Sequence, residues 1–82
     1  MTKLSELEAI LFIVGEEGIG LEEISYLLTI TKEETVALLT ELKTRYENDP
    51  ASALHILETE AHVVLTTKKE LAPLLKRYAQ GT

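Results

Sequence analysis

The amino-acid sequence predicts an α+β fold, mostly helical, in which a two-stranded hairpin follows three helices and a C-terminal helix closes the chain. Three observations carry that prediction. Helix-start patterns of the form Ser/Thr-x-x-Glu stand at Ser5–Glu8, Thr31–Glu34 and Thr67–Glu70, where hydroxyl and carboxylate can satisfy two orphan backbone N–H groups reciprocally. Apolar residues keep helical spacing as far as Tyr46 and change to period two after Pro50. The 82 residues contain no internal repeat, no low-complexity tract and no linker, so all elements belong to one domain, residues 1–82.

Each element has its own local reason. The first helix is expected over 5–15, with Ser5 as its cap and Leu4, Leu7, Ile10, Leu11 and Val14 as one apolar stripe. Gly15 and Gly18 offer it places to stop. Gly18-Ile19-Gly20 is too short for a strand but allows one extended residue to pair with a later one. A second helix begins at Leu21, with Glu22 and Glu23 where the helix dipole favours anions and with Leu21, Ile24, Leu27 and Leu28 as its buried stripe, and ends near Thr29. The third helix, 32–47, starts at the Thr31 capping box. It carries Val36, Leu38, Leu39, Leu42 and Tyr46 in one sector, has Lys43 and Arg45 in its last turn, and closes before Pro50.

Beyond Pro50 the alternation of Leu54, Ile56 and Glu58, and then of Val63 and Leu65, predicts a hairpin whose polar tip is Thr59-Glu60-Ala61. The tip lacks the Asn-Gly or Asp-Gly of a tight loop and is expected to be looser. Pro73 lies too deep behind Thr67 for one smooth helix, so a short turn and then a helix with Pro73 in its first turn are expected.

Composition and charge remove several function classes. No cysteine is present, which excludes disulfides and thiolate zinc sites and suits a reducing cytoplasm. The longest apolar run, Ala9 to Val14, falls far short of a membrane span, and no leader pattern precedes it. Fourteen acids against eight bases give a net charge of −6, unfavourable for a phosphate backbone. Residues 1–60 hold thirteen acids and four bases, whereas residues 61–82 hold one acid and four bases: Lys68, Lys69, Lys76 and Arg77. Lys76 and Arg77 suit the last turn of a helix. No metal set and no nucleophile–base pair can be assembled. His55 and His62 leave a metal site short of ligands unless Glu58 or Glu60 joins them, so neither a cofactor nor an enzyme is expected.

Helix, single extended residue, helix, helix and hairpin is the order of a winged helix domain, in which the second and third helices form a helix-turn-helix and the hairpin is the wing. In a DNA reader the third helix would enter the major groove. Here its outward side carries Glu33, Glu34, Ala37, Thr40, Glu41 and Thr44, three carboxylates and no base, which points to a solvated or protein-facing surface. The alternative function, a transcription regulator binding duplex DNA, needs a basic surface that this helix lacks.

The first helix is unusual. Ala9, Phe12 and Ile13, at i, i+3 and i+4, form a second apolar patch opposite the first stripe. Either the C-terminal helix or hairpin of the same chain covers it, or a second copy does, with Phe12 as anchor.

Leu7-Glu8-Ala9-Ile10-Leu11-Phe12-Ile13-Val14-Gly15-Glu16 followed by Leu21-Glu22-Glu23-Ile24 resembles the opening of segregation and condensation protein B. So do Leu42-x-x-x-Tyr46-Glu47, the strand Leu54–Glu58, and Leu65-Thr66-Thr67-Lys68-x-Glu70. At the wing, where that family often carries a glycine pair and Tyr-Arg, this chain has Ala61-His62 and Val63-Val64. The resemblance implies the N-terminal winged helix domain of a longer, two-domain bacterial protein of the cytoplasm. It implies a homodimer that binds the kleisin subunit, segregation and condensation protein A, and through it the structural maintenance of chromosomes ATPase. Such a protein serves chromosome segregation without touching DNA or membrane itself. Ala9, Phe12 and Ile13 are then the candidate self-association residues.

Overall fold

The computed structural model describes residues 1–81. Its helices are α1 (Lys3–Val14), α2 (Leu21–Leu28), α3 (Lys32–Asn48) and α4 (Ala72–Gln80), and its strands are β1 (Leu54–Glu58) and β2 (Val63–Thr67). Short 3₁₀ turns, Gly15–Glu17 and Lys69–Leu71, precede Ile19 and α4.

One core gathers residues from every element except α4: Leu4, Leu7 and Leu11 of α1, Ile19, Ile24 and Leu28, Leu39, Leu42 and Tyr46 of α3, and Ile56 and Val63 of the hairpin. α1 starts a turn earlier than its Ser5 pattern suggests. Thr2 is the cap, its hydroxyl accepting from the Ser5 N–H at 3.1 Å, because Leu4 must already be helical to enter the core. The Thr31–Glu34 capping box forms as expected, and the two bonds from Thr31 hold the Glu34 carboxyl below the usual carboxylate range. The Thr67 pattern forms no cap. The chain makes the 3₁₀ turn instead, and Pro73 sits in the first turn of α4 as its missing N–H requires.

Two predicted stripes are narrower than the sequence suggests. Leu27 of α2 and Val36 of α3 are about half exposed, at 51% and 48%. The space between these helices is filled by Thr35, fully buried, whose hydroxyl lies 2.6 Å from that of Ser25 and donates to the Thr31 carbonyl at 3.0 Å. A polar pair sets the helix-turn-helix packing where apolar spacing alone would have placed a valine. Thr29 ends α2 in the left-handed region (φ 57°, ψ 51°). The Ile30 N–H then returns to the Ser25 carbonyl at 3.1 Å, a Schellman closure made without glycine.

The hairpin is antiparallel, with Ile56 opposite Leu65 and Glu58 opposite Val63, and its inner face carries the predicted alternation. Ile19 is the third strand reduced to one residue, bonded both ways to Val63 at 3.0 and 2.8 Å. Gly18 makes this possible: it has φ +74°, and a Cβ there would meet Val64 Cγ2 at 2.8 Å and the Val63 carbonyl oxygen at 2.9 Å. The tip departs from a tight hairpin loop. Glu60 and Ala61 have no positive φ, and the His62 N–H bonds to the Thr59 hydroxyl at 3.1 Å instead of its carbonyl.

Candidate functional site

α1 is gripped on one side only. Its inner face packs against α2, α3 and β2. The Lys3 ammonium donates to the Leu28 carbonyl at 2.7 Å, satisfying the C-terminal end of α2. The Tyr46 hydroxyl donates to the Glu8 carboxylate, tying α1 to α3. Burial is the main cause that raises the Tyr46 hydroxyl pKa, and the Glu8 charge adds to it. These ties fix the helix axis and leave its opposite side open.

That open side carries all three residues predicted from the sequence. Ala9 is exposed, Phe12 is 74% exposed and Ile13 is 80% exposed. Neither the hairpin nor α4 covers them. Full burial of one such large side chain is worth about 1.5–3 kcal/mol, so Phe12 and Ile13 alone hold several kcal/mol of unrealised stabilisation. Glu6, three residues before Ala9, and Glu16, three after Ile13, are exposed acids flanking the patch in sequence, and Glu6 lies 3.5 Å from the Lys3 ammonium.

The third helix presents the acidic surface expected of it. Glu33, Glu34, Ala37, Thr40, Glu41 and Thr44 are all exposed. Two of the bases on it are engaged: Arg45 lies 3.7 Å from Glu41, and Lys43 lies 3.4 Å from Glu58 at the end of β1. Arg45 alone falls in the last turn, because α3 runs on to Asn48. In the basic tail, Lys68 is half-buried and donates to the Asp49 carbonyl at 2.9 Å, a structural use of its charge. Arg77 sits in the last turn of α4 as expected, whereas Lys76 lies before it and has no helix end to cap. His55 is half-buried on β1 and His62 is exposed at the tip. Among the described residues no group of three or more His, Cys, Asp or Glu side chains is placed to hold a metal, and no helix is long and apolar enough to cross a membrane.

Sequence periodicity did not reveal the position of α4. Every residue from Ala72 to Gln80 is exposed, and the helix packs chiefly on its own 3₁₀ turn, drawing the molecule out to 43 × 25 × 24 Å. Its apolar residues Leu74, Leu75 and Tyr78 follow Leu71 at i+3, i+4 and i+7, a stripe visible in the sequence whose partner is not in this chain's core.

A helix-turn-helix with a wing, an acidic third helix and an exposed apolar first helix defines a winged helix domain whose free apolar surface lies away from the usual DNA-reading element. Residues 5–82 match the family of the segregation and condensation complex subunit ScpB. Segregation and condensation protein B of Enterococcus faecalis is 60% identical over 81 residues, covering 99% of this chain and 40% of that protein. The protein of the same name from Streptococcus equi subsp. equi is 44% identical, over 99% of this chain and 45% of its own length. A crystal structure of a dimer of the ScpB N-terminal domain complexed with a ScpA peptide matches at a TM-score of 0.85 and 32% identity, over 92% of this chain and 88% of that one. The chain belongs to the ScpB family, and it spans less than half the length of these two full-length relatives.

Proposed function

We propose that this domain is a non-enzymatic interaction module of a bacterial segregation and condensation complex: it self-associates through Ala9, Phe12 and Ile13 of α1 and binds a ScpA-type kleisin subunit. Through that subunit it serves the structural maintenance of chromosomes ATPase, in the cytoplasm. The observation that carries the reading is the exposed apolar patch on α1, rigidly held and left uncovered by the rest of its own chain. The matched ScpB N-terminal domain is a dimer with a ScpA peptide, which supports both partners. The same match, and the greater length of the relatives, support a second domain following this one in the intact protein.

DNA reading is disfavoured by the outward carboxylates of α3, which would face phosphates with Arg45 and Lys43 already paired. Symmetric association uses the same patch from both copies, so one substitution removes two contacts. Phe12→Asp should yield a folded monomer in sedimentation equilibrium where the parent chain sediments at twice its 9.1 kDa. A dimer of unchanged affinity in that variant would sink the assignment.

A further inference from the structure

We propose that three carboxylates guard this winged helix against DNA. Glu33 occupies the side of α3 that would face a groove, Glu41 and Glu58 cancel Arg45 and Lys43, and without these acids the same helix binds a duplex.

The layout of α3 carries the proposal. The helix is 17 residues long and projects from a helix-turn-helix beside a wing. With its side chains an α-helix is about 10–12 Å across, a fit to a major groove about 12 Å wide. At 3.6 residues per turn, Ala37, Thr40 and Thr44 run down the middle of the outward side, and all three are exposed and small enough for close approach. Lys32 and Lys43 stand along one edge of that side and Arg45 along the other, where the phosphates bordering a groove would pass. Bases at both edges and small residues between them are what backbone positioning and base reading require.

Acids undo each part of that layout. Glu33 is exposed on the central strip, one turn before Ala37. Glu41 lies 3.7 Å from Arg45 at one edge, and Glu58 reaches from the wing to within 3.4 Å of Lys43 at the other. Lys32 makes no ion pair among the described residues. The side chains of both pairs are between a third and two-thirds exposed, so neither pair adds much to the stability of the fold. Their effect is on the field: a base beside a carboxylate presents no net charge to a phosphate and releases no counterion from it. Glu34 is turned back onto the Thr31 N–H by the capping box, and Glu47 lies in the last turn, beyond the part of such a helix that reads bases.

The guard is local, so it can be separated from the acidity of the whole chain. In one variant Glu33→Gln, Glu41→Gln and Glu58→Gln are combined; in a control Glu16→Gln, Glu17→Gln and Glu70→Gln are combined. Each loses three acids, which takes the net charge from −6 to −3. A third chain adds Lys32→Gln and Arg45→Gln to the first set. All these positions are exposed, where a substitution shifts stability by only about 0.5 kcal/mol, and circular dichroism verifies the fold. Each chain is titrated against a fluorescein-labelled DNA duplex, with anisotropy read between about 50 and 200 mM salt. The parent and the control should leave the duplex free. The first variant should bind with a Kd on the order of 10⁻⁵ M and a log–log salt slope of about −2.7, the value for three phosphate contacts. The third chain should lose that binding. A folded first variant that leaves the duplex free would overturn the proposal. So would binding by the parent, equal binding by the control, or binding that persists in the third chain, because each places the decision outside these three acids.

Discussion

Replacing Gly18 by alanine tests how the wing is attached to the helices, because the structure allows its cost to be split. Gly15 and Gly18 both occupy backbone regions essentially reserved for glycine, with φ +60° and +74°. An L-residue in such a region costs about 1–3 kcal/mol. At Gly15 nothing lies within 4 Å of a Cβ, so Gly15→Ala should cost that strain alone. At Gly18 the Cβ arrives 2.8 Å from Val64 Cγ2 and 2.9 Å from the Val63 carbonyl oxygen. That carbonyl accepts the Ile19 N–H at 3.0 Å, and the Val63 N–H returns at 2.8 Å, so the strand cannot retreat without lengthening both bonds. Overpacking of this kind adds about 1–3 kcal/mol, giving roughly 2–6 kcal/mol in all. For a domain of this size that lowers Tm by about 8 °C or more. Urea unfolding followed by far-ultraviolet circular dichroism measures both variants, with unchanged slopes confirming that stability alone has moved. Equal destabilisation by the two substitutions would refute the role given to Gly18 as the seat of the Ile19–Val63 bridge.

Two further predictions concern the helices. Tyr46→Phe removes the hydroxyl that ties α3 to Glu8 and should cost about 1–2 kcal/mol near neutral pH. The folded-state pKa of Tyr46 is raised above its unfolded value of 10.0, so the stabilisation it carries is complete below that pH and is lost as pH rises further. The parent should therefore keep its advantage over the variant up to about pH 10 and lose it as pH rises above that value, read from urea midpoints. An advantage that grows over that range would contradict the sign. Thr29→Gly relieves a β-branched residue from the left-handed region, which costs an L-residue about 1–2 kcal/mol, against the roughly 0.5–1 kcal/mol of chain entropy that glycine adds. A small net rise in Tm is expected, and a fall would mean that the threonine side chain contributes something its backbone angle conceals.

Local chemistry was the legible part of this fold. The Thr31 capping box, the change of period after Pro50, the single pairing residue between Gly18 and Gly20 and the turn before Pro73 all rest on interactions within a few residues. The same reasoning failed where neighbours compete or where space decides. Thr2 and Ser5 both offer a cap, and the demand that Leu4 be buried selects Thr2. Val36 and Thr35 are adjacent, and the inward position went to the threonine because Ser25 supplies a hydroxyl opposite it. Thr67 heads a cap pattern, but the chain forms a 3₁₀ turn there. For the candidate site, the second apolar face of α1 was readable from Ala9, Phe12 and Ile13, and its exposure was not. Periodicity reports that a stripe is apolar and is silent on which chain covers it, which is why α4 read as a possible lid and stands free.

The account turns on which surface of the domain does the binding, and amide chemical shifts report that residue by residue. ¹⁵N-labelled chain is diluted through its self-association range while two-dimensional spectra are recorded. The shifts that move should lie at Ala9, Phe12 and Ile13, with Glu33–Thr44 of α3 unchanged. Movement concentrated on α3, with α1 silent, would contradict the assignment of self-association to α1.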